Sequence, residues 1–336
     1  MVLVTGGAGF IGSHTIISLL ENNYSVVVLD NLCNSSYESI KRVEELTKQK
    51  VRFYLGDVRD QLILNDIFRN NNIDAVIHFA ALKSVGESNA NPLEYYSNNI
   101  SGTLSLLESM KQFDINKIIF SSSATVYGTG NKSPNKESDA IGATTNPYGT
   151  SKYMMELILK DFCRSDPSFS AISLRYFNPT GAHPSGLVGE NPNGIPNNLI
   201  PYIVKVALKQ LPKLQIFGND YPTKDGTGVR DYIHVTDLAL GHVKALDYLF
   251  SNNVSYDVFN LGTGRGYSVL EVVQMFEQVS NCKVPYDICN RREGDIATSW
   301  ACADLAKDKL KWQGTKDLQQ MLEDVWRWQT KNPNGY

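Results

Sequence analysis

The 336-residue sequence lacks long apolar runs, a large excess of either charge and paired cysteines, and each absence excludes a class of protein. No stretch approaches the roughly 18 apolar residues that a membrane span requires, and the first residues show no secretory signal. A net charge of −3 and a pI near 6.0 offer no basic surface for nucleic acid or an anionic membrane. Scattered cysteines without a CxxC pair predict neither disulfides nor a metal site, and they favour a reducing cytoplasm.

Short apolar runs alternate with longer amphipathic segments through the first half of the chain. Uninterrupted apolar runs predict strands buried on both faces, hence a parallel sheet covered by helices in a doubly wound α/β fold. The expected strands are Val2–Val4, Val26–Leu29, Val51–Tyr54, Ala75–Phe79, Lys117–Phe120 and Ala171–Leu174. The expected helices are Ser13–Asn22, Ser36–Gln49, Gln61–Asn70, Pro92–Gln112 and Ser151–Cys163.

A glycine motif follows the first expected strand directly, in the segment Thr5–Gly12. Gly6, Gly9 and Gly12 allow a tight turn, close approach of a pyrophosphate and close helix–strand packing, and the helix N-terminus then attracts phosphates. Asp30 ends the second strand, where a carboxylate binds ribose hydroxyls and repels a 2′-phosphate, which favours NAD over NADP. The alternative is an ordinary tight turn with an aspartate at the strand end.

The amino-acid composition changes after residue 177. Glycines and prolines crowd Asn178–Asn198 and Gly218–Gly228, which predicts long functional loops around a helix at Leu199–Gln210. Val258–Leu261 again resembles a buried strand, and a last helix is expected at Thr315–Gln329. We therefore expect a Rossmann domain over 1–177 and a smaller, loop-rich, mainly substrate-binding domain over 178–336, with segments near 230–262 returning to the first.

Candidate catalytic residues follow the fifth strand. The serine-rich segment Ser121–Gly128 precedes Tyr148 and Lys152, which are four residues apart and would share one face of a helix. Tyrosine has a pKa of about 10, and a nearby ammonium would lower that value and make the phenol a better base. Such a Tyr–Lys spacing alone arises by chance, so the prediction depends on its combination with the glycine motif.

These motifs together resemble the UDP-galactose 4-epimerase family of extended short-chain dehydrogenases/reductases, from the first strand almost to the C-terminus. The motifs that carry the resemblance are Thr5–Gly12, Asp30–Ser35, Gly56–Val58, Ile77–Lys83, Ser121–Gly128, Tyr148–Lys152, Arg175–Pro179, Gly194–Asn198, Val229–His234 and Arg291–Asp295.

The resemblance implies a role for each matching residue. Tyr148 would be the catalytic base and acid, Lys152 would tune it and hold the nicotinamide ribose, and Ser123 would share the substrate hydroxyl. With Tyr148 and Lys152, the implied NAD site contains Gly6, Gly9, Phe10, Ile11, Gly12, Asp30, Asn31, Asn34, Ser35, Asp57, Val58, Phe79, Ala80, Lys83, Asn98 and Phe177. With Ser123 and Tyr148, the implied UDP-hexose site contains Asn178, Asn198, Leu199, Gln215, Phe217, Arg230, Arg292, Asp295 and Ser299.

Several of these assignments have alternatives. Asp57 could contact adenine or cap the next helix. Arg230 and Arg292 could bind the diphosphate or form surface ion pairs. Family resemblance also suggests a homodimer through the helices near Pro92–Gln112 and Ser151–Cys163, although these helices could instead face solvent.

The resemblance implies inversion at C4: Tyr148 removes the C4 hydroxyl proton, NAD accepts and returns a hydride, and the 4-keto sugar turns over in between. In this family a tyrosine at the position of Ser299 excludes an N-acetyl group, so the small residue here predicts that UDP-GlcNAc and UDP-GalNAc are accepted with UDP-Glc and UDP-Gal. Ser299 could also be a neutral loop residue.

Three rival functions share this fold. A 4,6-dehydratase needs an acid/base pair after the strand-end hydroxyl, where this chain has Ala124 and Thr125, neither of which transfers protons usefully at neutral pH. A net dehydrogenase or reductase would consume free cofactor. A non-enzymatic NAD-sensing protein would not need Ser123, Tyr148 and Lys152 together.

Overall fold

A parallel sheet lies at the centre of the computed structural model, which describes residues 1–192, 194, 196, 198–292 and 294–336. The strands of the described chain are β1 (Val2–Thr5), β2 (Val26–Asp30), β3 (Arg52–Leu55), β4 (Ala75–His78), β5 (Lys117–Ser123), β6 (Ser170–Tyr176), β7 (Asn178–Thr180), β8 (Leu214–Phe217), β9 (Val229–His234), β10 (Tyr256–Leu261), β11 (Gly266–Ser268), β12 (Tyr286–Cys289) and β13 (Thr298–Ser299).

The central sheet has seven strands in the order β10-β6-β5-β4-β1-β2-β3, and neighbouring strands in it are parallel. This confirms the doubly wound α/β fold, and Val258–Leu261 does return to the main sheet as part of β10. The strand order reverses between β1 and β4, so the crevice at the carboxyl ends of these strands is the expected ligand site.

The edge strand β3 departs from the predicted pattern. Its apolar run predicts burial on both faces, but Arg52 is exposed and Leu55 is 64% exposed. In contrast, every residue of β1, β2 and β4 is buried. An edge strand has a neighbour on one side only, so apolar composition by itself does not report burial there.

The α-helices flank the sheet and build much of the second half of the chain. They are α1 (Phe10–Glu21), α2 (Tyr37–Thr47), α3 (Gln61–Asn70), α4 (Val85–Ala90), α5 (Pro92–Tyr96), α6 (Gly102–Gln112), α7 (Pro147–Ser165), α8 (Leu199–Ala207), α9 (Val235–Ser251), α10 (Val269–Ser280) and α11 (Leu318–Lys331). Residues of α1 and α9 cover one face of the sheet, and residues of α3, α6 and α7 cover the other. Among the described residues, no helix is both long and apolar enough to cross a membrane.

Two helix predictions need correction. The expected helix Pro92–Gln112 is interrupted by a π-helical turn at Ser97–Ser101, between α5 and α6. The expected helix Ser151–Cys163 begins earlier, at Pro147, because the Asn146 side chain accepts a hydrogen bond from the Gly149 N–H (2.8 Å) and caps it.

The second half of the chain adds two small sheets beside the central one. In the first, β9 pairs with β7, β11 and β13, and in the second, β8 pairs with β12. A third apolar cluster, with side chains from α8, α10 and α11, supports them. These sheets carry five residues of the implied substrate site, namely Asn178, Gln215, Phe217, Arg230 and Ser299.

Candidate active site

The loop after β1 is shaped for a ligand that needs close contact with backbone. Gly6 has a φ of +69°, and a Cβ atom there would lie 2.7 Å from the Ala80 nitrogen. A Cβ on Gly12 would collide with the Gly6 carbonyl oxygen, and one on Gly7 would lie 2.7 Å from Val28 Cγ1. Glycine is therefore required at all three positions. Sequence analysis did not single out Gly7, because the spacing rule does not include it.

The N-terminus of α1 fits a pyrophosphate. Gly9 is the N-cap, no side chain caps the helix, and its first turn contains no acidic residue. A Cβ at Gly9 would meet nothing closer than the Gly6 oxygen at 3.3 Å, so the ligand side is open. Phe10 and Ile11 begin the helix. The loop Thr5–Gly9 and the N-terminus of α1 together form what we call the glycine cradle. Its unpaired N–H groups and the positive end of the helix dipole suit a dinucleotide.

Asp30 lies at the carboxyl end of β2, and its carboxylate hydrogen-bonds both the glycine loop and the loop that follows β2. Its Oδ2 accepts a hydrogen bond from the Ala8 N–H (2.9 Å), and its Oδ1 accepts from the Leu32 N–H and the Ser35 hydroxyl (2.8 Å each). The carboxylate is therefore fixed beside the cradle, where its charge opposes a 2′-phosphate. Asn34 is exposed on the same loop.

Asp57 does not cap the next helix, because Asp60 occupies that position and accepts from the Leu62 N–H (2.9 Å). Asp57 instead accepts from Asn31 (3.0 Å) and from two guanidinium nitrogens of Arg59 (2.8 Å each). The Arg59 contact holds the pKa of the Asp57 carboxyl well below its usual range. Asp57 is thus an ionised acceptor beside Asn31, as an adenine-side residue requires.

The remaining residues of the implied cofactor site lie around the carboxyl ends of β4 and β6. The Phe79 and His242 ring centroids are 4.9 Å apart, and Val58 and Phe177 are buried. Asn98 belongs to the π-helical turn, a feature that often marks functional sites, and donates to Asn99 (3.0 Å). Ala80 adjoins Gly6, and Lys83 forms an ion pair with Glu190 (3.5 Å).

Tyr148 and Lys152 share one face of α7, close to Ser123 at the carboxyl end of β5. The Lys152 ammonium lies 6.0 Å from the centroid of the Tyr148 ring and donates to the Ser121 carbonyl oxygen (2.6 Å). The Ser123 hydroxyl accepts from the Thr125 hydroxyl (2.9 Å) and lies near enough to the Tyr148 phenol to lower its pKa. The structure thus brings together the three residues that the sequence singled out.

The electrostatics of this group differ from the sequence expectation. Burial raises the pKa of Tyr148, and the group that opposes this rise is the Ser123 hydroxyl rather than Lys152. Burial also lowers the pKa of Lys152 to about 7, against a smaller raising effect of Glu156. Lys152 therefore carries a charge that its surroundings barely support, and a positive group besides Lys152 is required to lower the pKa of Tyr148.

A buried polar network beneath this group was missed in the sequence. Both carboxylate oxygens of Glu156 accept from the Arg175 guanidinium (2.7 and 3.0 Å), and one also accepts from Ser122 (2.5 Å). Asn99 binds both backbone groups of Leu82 and donates to the Ser151 hydroxyl (3.0 Å). The only sequence signal for Glu156 was its place one turn beyond Lys152.

On the substrate side, Arg230, Asp295 and Ser299 come together. Ser299 on β13 pairs with Arg230 on β9, and the Arg230 guanidinium forms a salt bridge with Asp295. The Arg292 guanidinium lies 3.9 Å from the centroid of the Phe217 ring. Each arginine therefore has a partner within the chain. An anionic ligand would have to compete with that partner for the guanidinium.

The other implied substrate residues are spread over three elements. Asn178 is exposed on β7, which pairs with β9, and Gln215 on β8 accepts a hydrogen bond from Cys289 (2.6 Å). Asn198 is the N-cap of α8, and Leu199 is the first residue of that helix. Residues 195 and 197 of the Gly194–Asn198 motif and residue 293 of the Arg291–Asp295 motif lie outside the described residues, as does residue 193.

Two contacts join the substrate side to the catalytic group. A Cβ on Gly294 would lie 3.1 Å from the Thr145 side chain, two residues before α7. The Trp300 N–H donates to the Ser133 hydroxyl (3.2 Å), so the strand that carries Ser299 is held against the loop between β5 and α7. The segment that carries Asp295 and Ser299 therefore packs against the chain between β5 and α7.

Comparison with known proteins agrees with this geometry. The profile of a family described as GDP-mannose 4,6 dehydratase matches residues 3–325. A UDP-glucose 4-epimerase of Pasteurella multocida (strain Pm70) is 57% identical over 335 residues, which cover 100% of this chain and 99% of that protein. The chain belongs to the UDP-glucose 4-epimerase family.

Solved structures of this epimerase family superimpose closely. The UDP-glucose 4-epimerase of Bifidobacterium longum, in complex with NAD+ and UDP, has 54% identity and a TM-score of 0.97, with 100% of this chain and 99% of that chain covered. The UDP-Glc/GlcNAc 4-epimerase of Campylobacter jejuni has 37% identity and a TM-score of 0.85, with 98% and 99% covered. The epimerase family thus includes members with each substrate range.

Proposed function

We propose that the protein is an NAD-dependent UDP-hexose 4-epimerase that interconverts UDP-glucose and UDP-galactose. The observation that carries this proposal is the grouping of Tyr148, Lys152 and Ser123 at the carboxyl end of β5, beside the glycine cradle. The close relatives named above are epimerases, and the position of a dehydratase acid/base pair holds Ala124 and Thr125.

The residues of the chain divide the work. Bound NAD supplies a hydride acceptor and donor at C4 of the sugar. Tyr148 would take the proton of the C4 hydroxyl and return it to the same oxygen once the sugar has turned over, while Ser123 hydrogen-bonds that oxygen. Lys152 would hold the nicotinamide ribose beside the phenol, and bound NAD would supply the further positive charge that favours the phenolate. Arg230 and Arg292 hold the diphosphate and so leave the hexose free to turn over.

Product analysis on the purified protein tests the proposal directly. UDP-Glc, UDP-Gal, UDP-GlcNAc and UDP-GalNAc are offered separately, first without and then with added NAD. We expect interconversion within the plain pair and no net accumulation of NADH. Formation of a stable 4-keto product, or stoichiometric consumption of NAD, would instead identify a dehydratase or a net dehydrogenase.

We further propose that the N-acetylated pair is accepted. Ser299 lies beside Arg230 on the neighbouring strand β13, where the tyrosine that the family resemblance implies for other members would crowd the C2 substituent. A small side chain permits binding without adding an attractive contact, so the prediction concerns turnover and not preference. Interconversion of only the plain pair in the same product analysis would contradict it.

A homodimer is the assembly that we propose. Large apolar side chains stand exposed on α5, α6 and α7, among them Leu93 (81%), Leu157 (42%), Leu104 (41%) and Met154 (40%). Such a face on neighbouring helices suits burial against a second copy through a twofold interface. Light scattering should give twice the mass of one chain. The double variant Leu93→Glu/Leu157→Glu should give the mass of a single chain.

We also propose the domain division at residues 177 and 178 and a cytoplasmic location. Support for the division comes from the central sheet. Six of its seven strands, β1 to β6, precede residue 177, and only β10 among its described strands comes from the second half of the chain. Support for the location comes from the scattered cysteine pattern, which suits a reducing compartment.

A further inference from the structure

Glu190 lies in the loop between β7 and α8, and the C-terminal region fixes its backbone. The Trp328 indole N–H donates to the Glu190 carbonyl oxygen (3.2 Å), and Trp328 itself is buried on α11. The adjacent Gly189 exchanges hydrogen bonds with the Tyr336 hydroxyl (3.1 and 3.2 Å). The carboxylate of Glu190 therefore extends from an anchored point, and its side chain is only 13% exposed.

This carboxylate contacts one residue of each proposed ligand site. Its Oε1 lies 3.5 Å from the Lys83 ammonium on the cofactor side and accepts a hydrogen bond from the Asn198 amide (3.3 Å) on the substrate side. The backbone beside Lys83 is fixed, because the Leu82 N–H donates to Asn99 (2.8 Å) and the Ser84 N–H donates to Tyr95 (3.0 Å). What Glu190 restrains is therefore the half-exposed Lys83 side chain.

Asn198 is an N-cap residue whose side chain does not cap. Asparagine normally accepts a hydrogen bond from an N–H in the first turn, as Asn146 does for α7. At α8 no such bond forms, and the first turn contains no acidic side chain. The third residue of α8 is Pro201, which has no N–H, so the N–H groups of Leu199 and Ile200 are the ones left for an anion while Glu190 holds the Asn198 amide.

We propose that Glu190 is a positioning residue that acts on both ligand sites in opposite directions. Its carboxylate competes with the cofactor pyrophosphate for Lys83, and it keeps the Asn198 side chain off the N-terminus of α8, where UDP then binds. This inference rests on the proposed function, which assigns Lys83 to NAD and Asn198 to UDP. Removal of Glu190 should therefore strengthen NAD retention and weaken UDP binding.

Two substitutions separate these effects. Glu190→Gln removes the charge but keeps an oxygen acceptor for Asn198, so NAD release should slow roughly two- to fivefold, the range of a partly exposed ion pair, with UDP affinity unchanged. Glu190→Ala removes both contacts, so NAD release should slow similarly and UDP should bind about two- to tenfold more weakly, the range of a capping change. Glu277→Gln is the control: it breaks a comparable pair between Glu277 on α10 and Lys283 beyond the end of that helix, and it should change neither value.

NAD release is measured by dilution of the holoprotein into a dehydrogenase that traps free NAD, and UDP affinity by calorimetry. A loop with a purely structural role would lose both ligands more easily in Glu190→Ala, and faster NAD release in either variant would overturn the proposal. In a Lys83→Met background, Glu190→Gln should no longer affect NAD release, and a persisting effect would also contradict it. Both readouts are binding measurements, so a failure to find epimerised product would count against the proposed function alone.

Discussion

The proposed cofactor site around the glycine loop is built from backbone groups, whereas the proposed substrate site in the second half of the chain is built from long side chains. Gly6, Gly7 and Gly12 leave no room for a Cβ atom, and Asp30 fixes the loop with a hydrogen bond from Ala8. On the substrate side, Arg230 pairs with Asp295 and Arg292 lies over Phe217. The backbone arrangement is therefore fixed in advance, whereas Arg230 and Arg292 would have to leave Asp295 and Phe217 to bind an anionic ligand in the proposed site.

This difference matches the two tasks of an epimerase. The cofactor must keep one position through oxidation and reduction, which suits a cradle of backbone groups that cost little to organise. The hexose must present both faces in turn, so the protein can hold the nucleotide but not the sugar. Variants in the cofactor region should therefore change NAD retention, whereas variants in the substrate region should change KM or the choice of sugar.

Tyr148→Phe removes the group at which both regions meet. We expect kcat to fall by about 10²–10⁴-fold, the usual contribution of a general acid/base, with UDP affinity and NAD content preserved. Product analysis and the absorbance of extracted cofactor measure the two effects. Substantial turnover by the phenylalanine variant would show that another group moves the proton.

Gly6→Ala tests the preset region against a matched control in the same loop. The added methyl group would lie 2.7 Å from the Ala80 nitrogen at a φ of +69°, so we expect loss of bound NAD and a destabilisation of about 1–3 kcal/mol. Gly9→Ala meets only the Gly6 oxygen at 3.3 Å and should fold with near-normal stability while it crowds the phosphates. Equal unfolding temperatures for the two variants would contradict the steric argument.

Ser299→Tyr tests whether a small side chain at this position admits the N-acetyl group. A tyrosine beside Arg230 should abolish turnover of UDP-GlcNAc and UDP-GalNAc, with a loss of at least about a hundredfold, while the plain pair changes little. Rates with all four sugars measure this selectivity. Parallel loss of both pairs would indicate that the substitution disturbs β13 itself.

Arg230→Lys keeps the charge but removes the planar fork that can bind a diphosphate with two hydrogen bonds. We expect the KM for UDP-Gal to rise about tenfold, with a smaller change in kcat, because the diphosphate is bound equally in ground and transition states. Initial-rate kinetics separate the two constants. A fall in kcat at unchanged KM would place Arg230 in the chemical step.

Lys152→Met tests the cost of the buried ammonium through its pH dependence. Burial lowers the pKa of Lys152 from 10.5 to about 7, so between these values the unfolded chain binds more protons and the free energy of unfolding rises with pH. The methionine variant removes this penalty and should raise the Tm at pH 6 more than at pH 9, although its activity falls. An equal gain at both values would show that burial of the charge is not the cause.

The regions also differ in how far the sequence predicted them. The glycine loop, the strands of the central sheet and helix Gln61–Asn70 follow from patterns within a few residues of each other. The pairs Arg230–Asp295 and Arg175–Glu156 join residues 65 and 19 positions apart, and no periodicity reveals such partners. The substrate residues therefore depended on family resemblance, whereas the cofactor cradle followed from local chemistry.

Some local signals were present but not used. Asn146 and Pro147 form a typical helix start, an N-cap residue followed by proline at the first helical position, which would have placed Tyr148 in the first turn of α7. The π-helical turn at Ser97–Ser101 carries no comparable signature, because it arises where the chain packs Asn99 against Leu82 and Ser151. That contact could be found only in three dimensions.

The central claim, transient oxidation at C4 with return of the same hydrogen, is tested most directly with UDP-Gal that carries deuterium at C4. The label should remain on C4 of the UDP-Glc formed, without loss to solvent and without appearance in free NADH. Exchange of the label with water would contradict hydride transfer and point to proton abstraction at carbon. Its recovery in free NADH would contradict epimerisation and identify a net dehydrogenase.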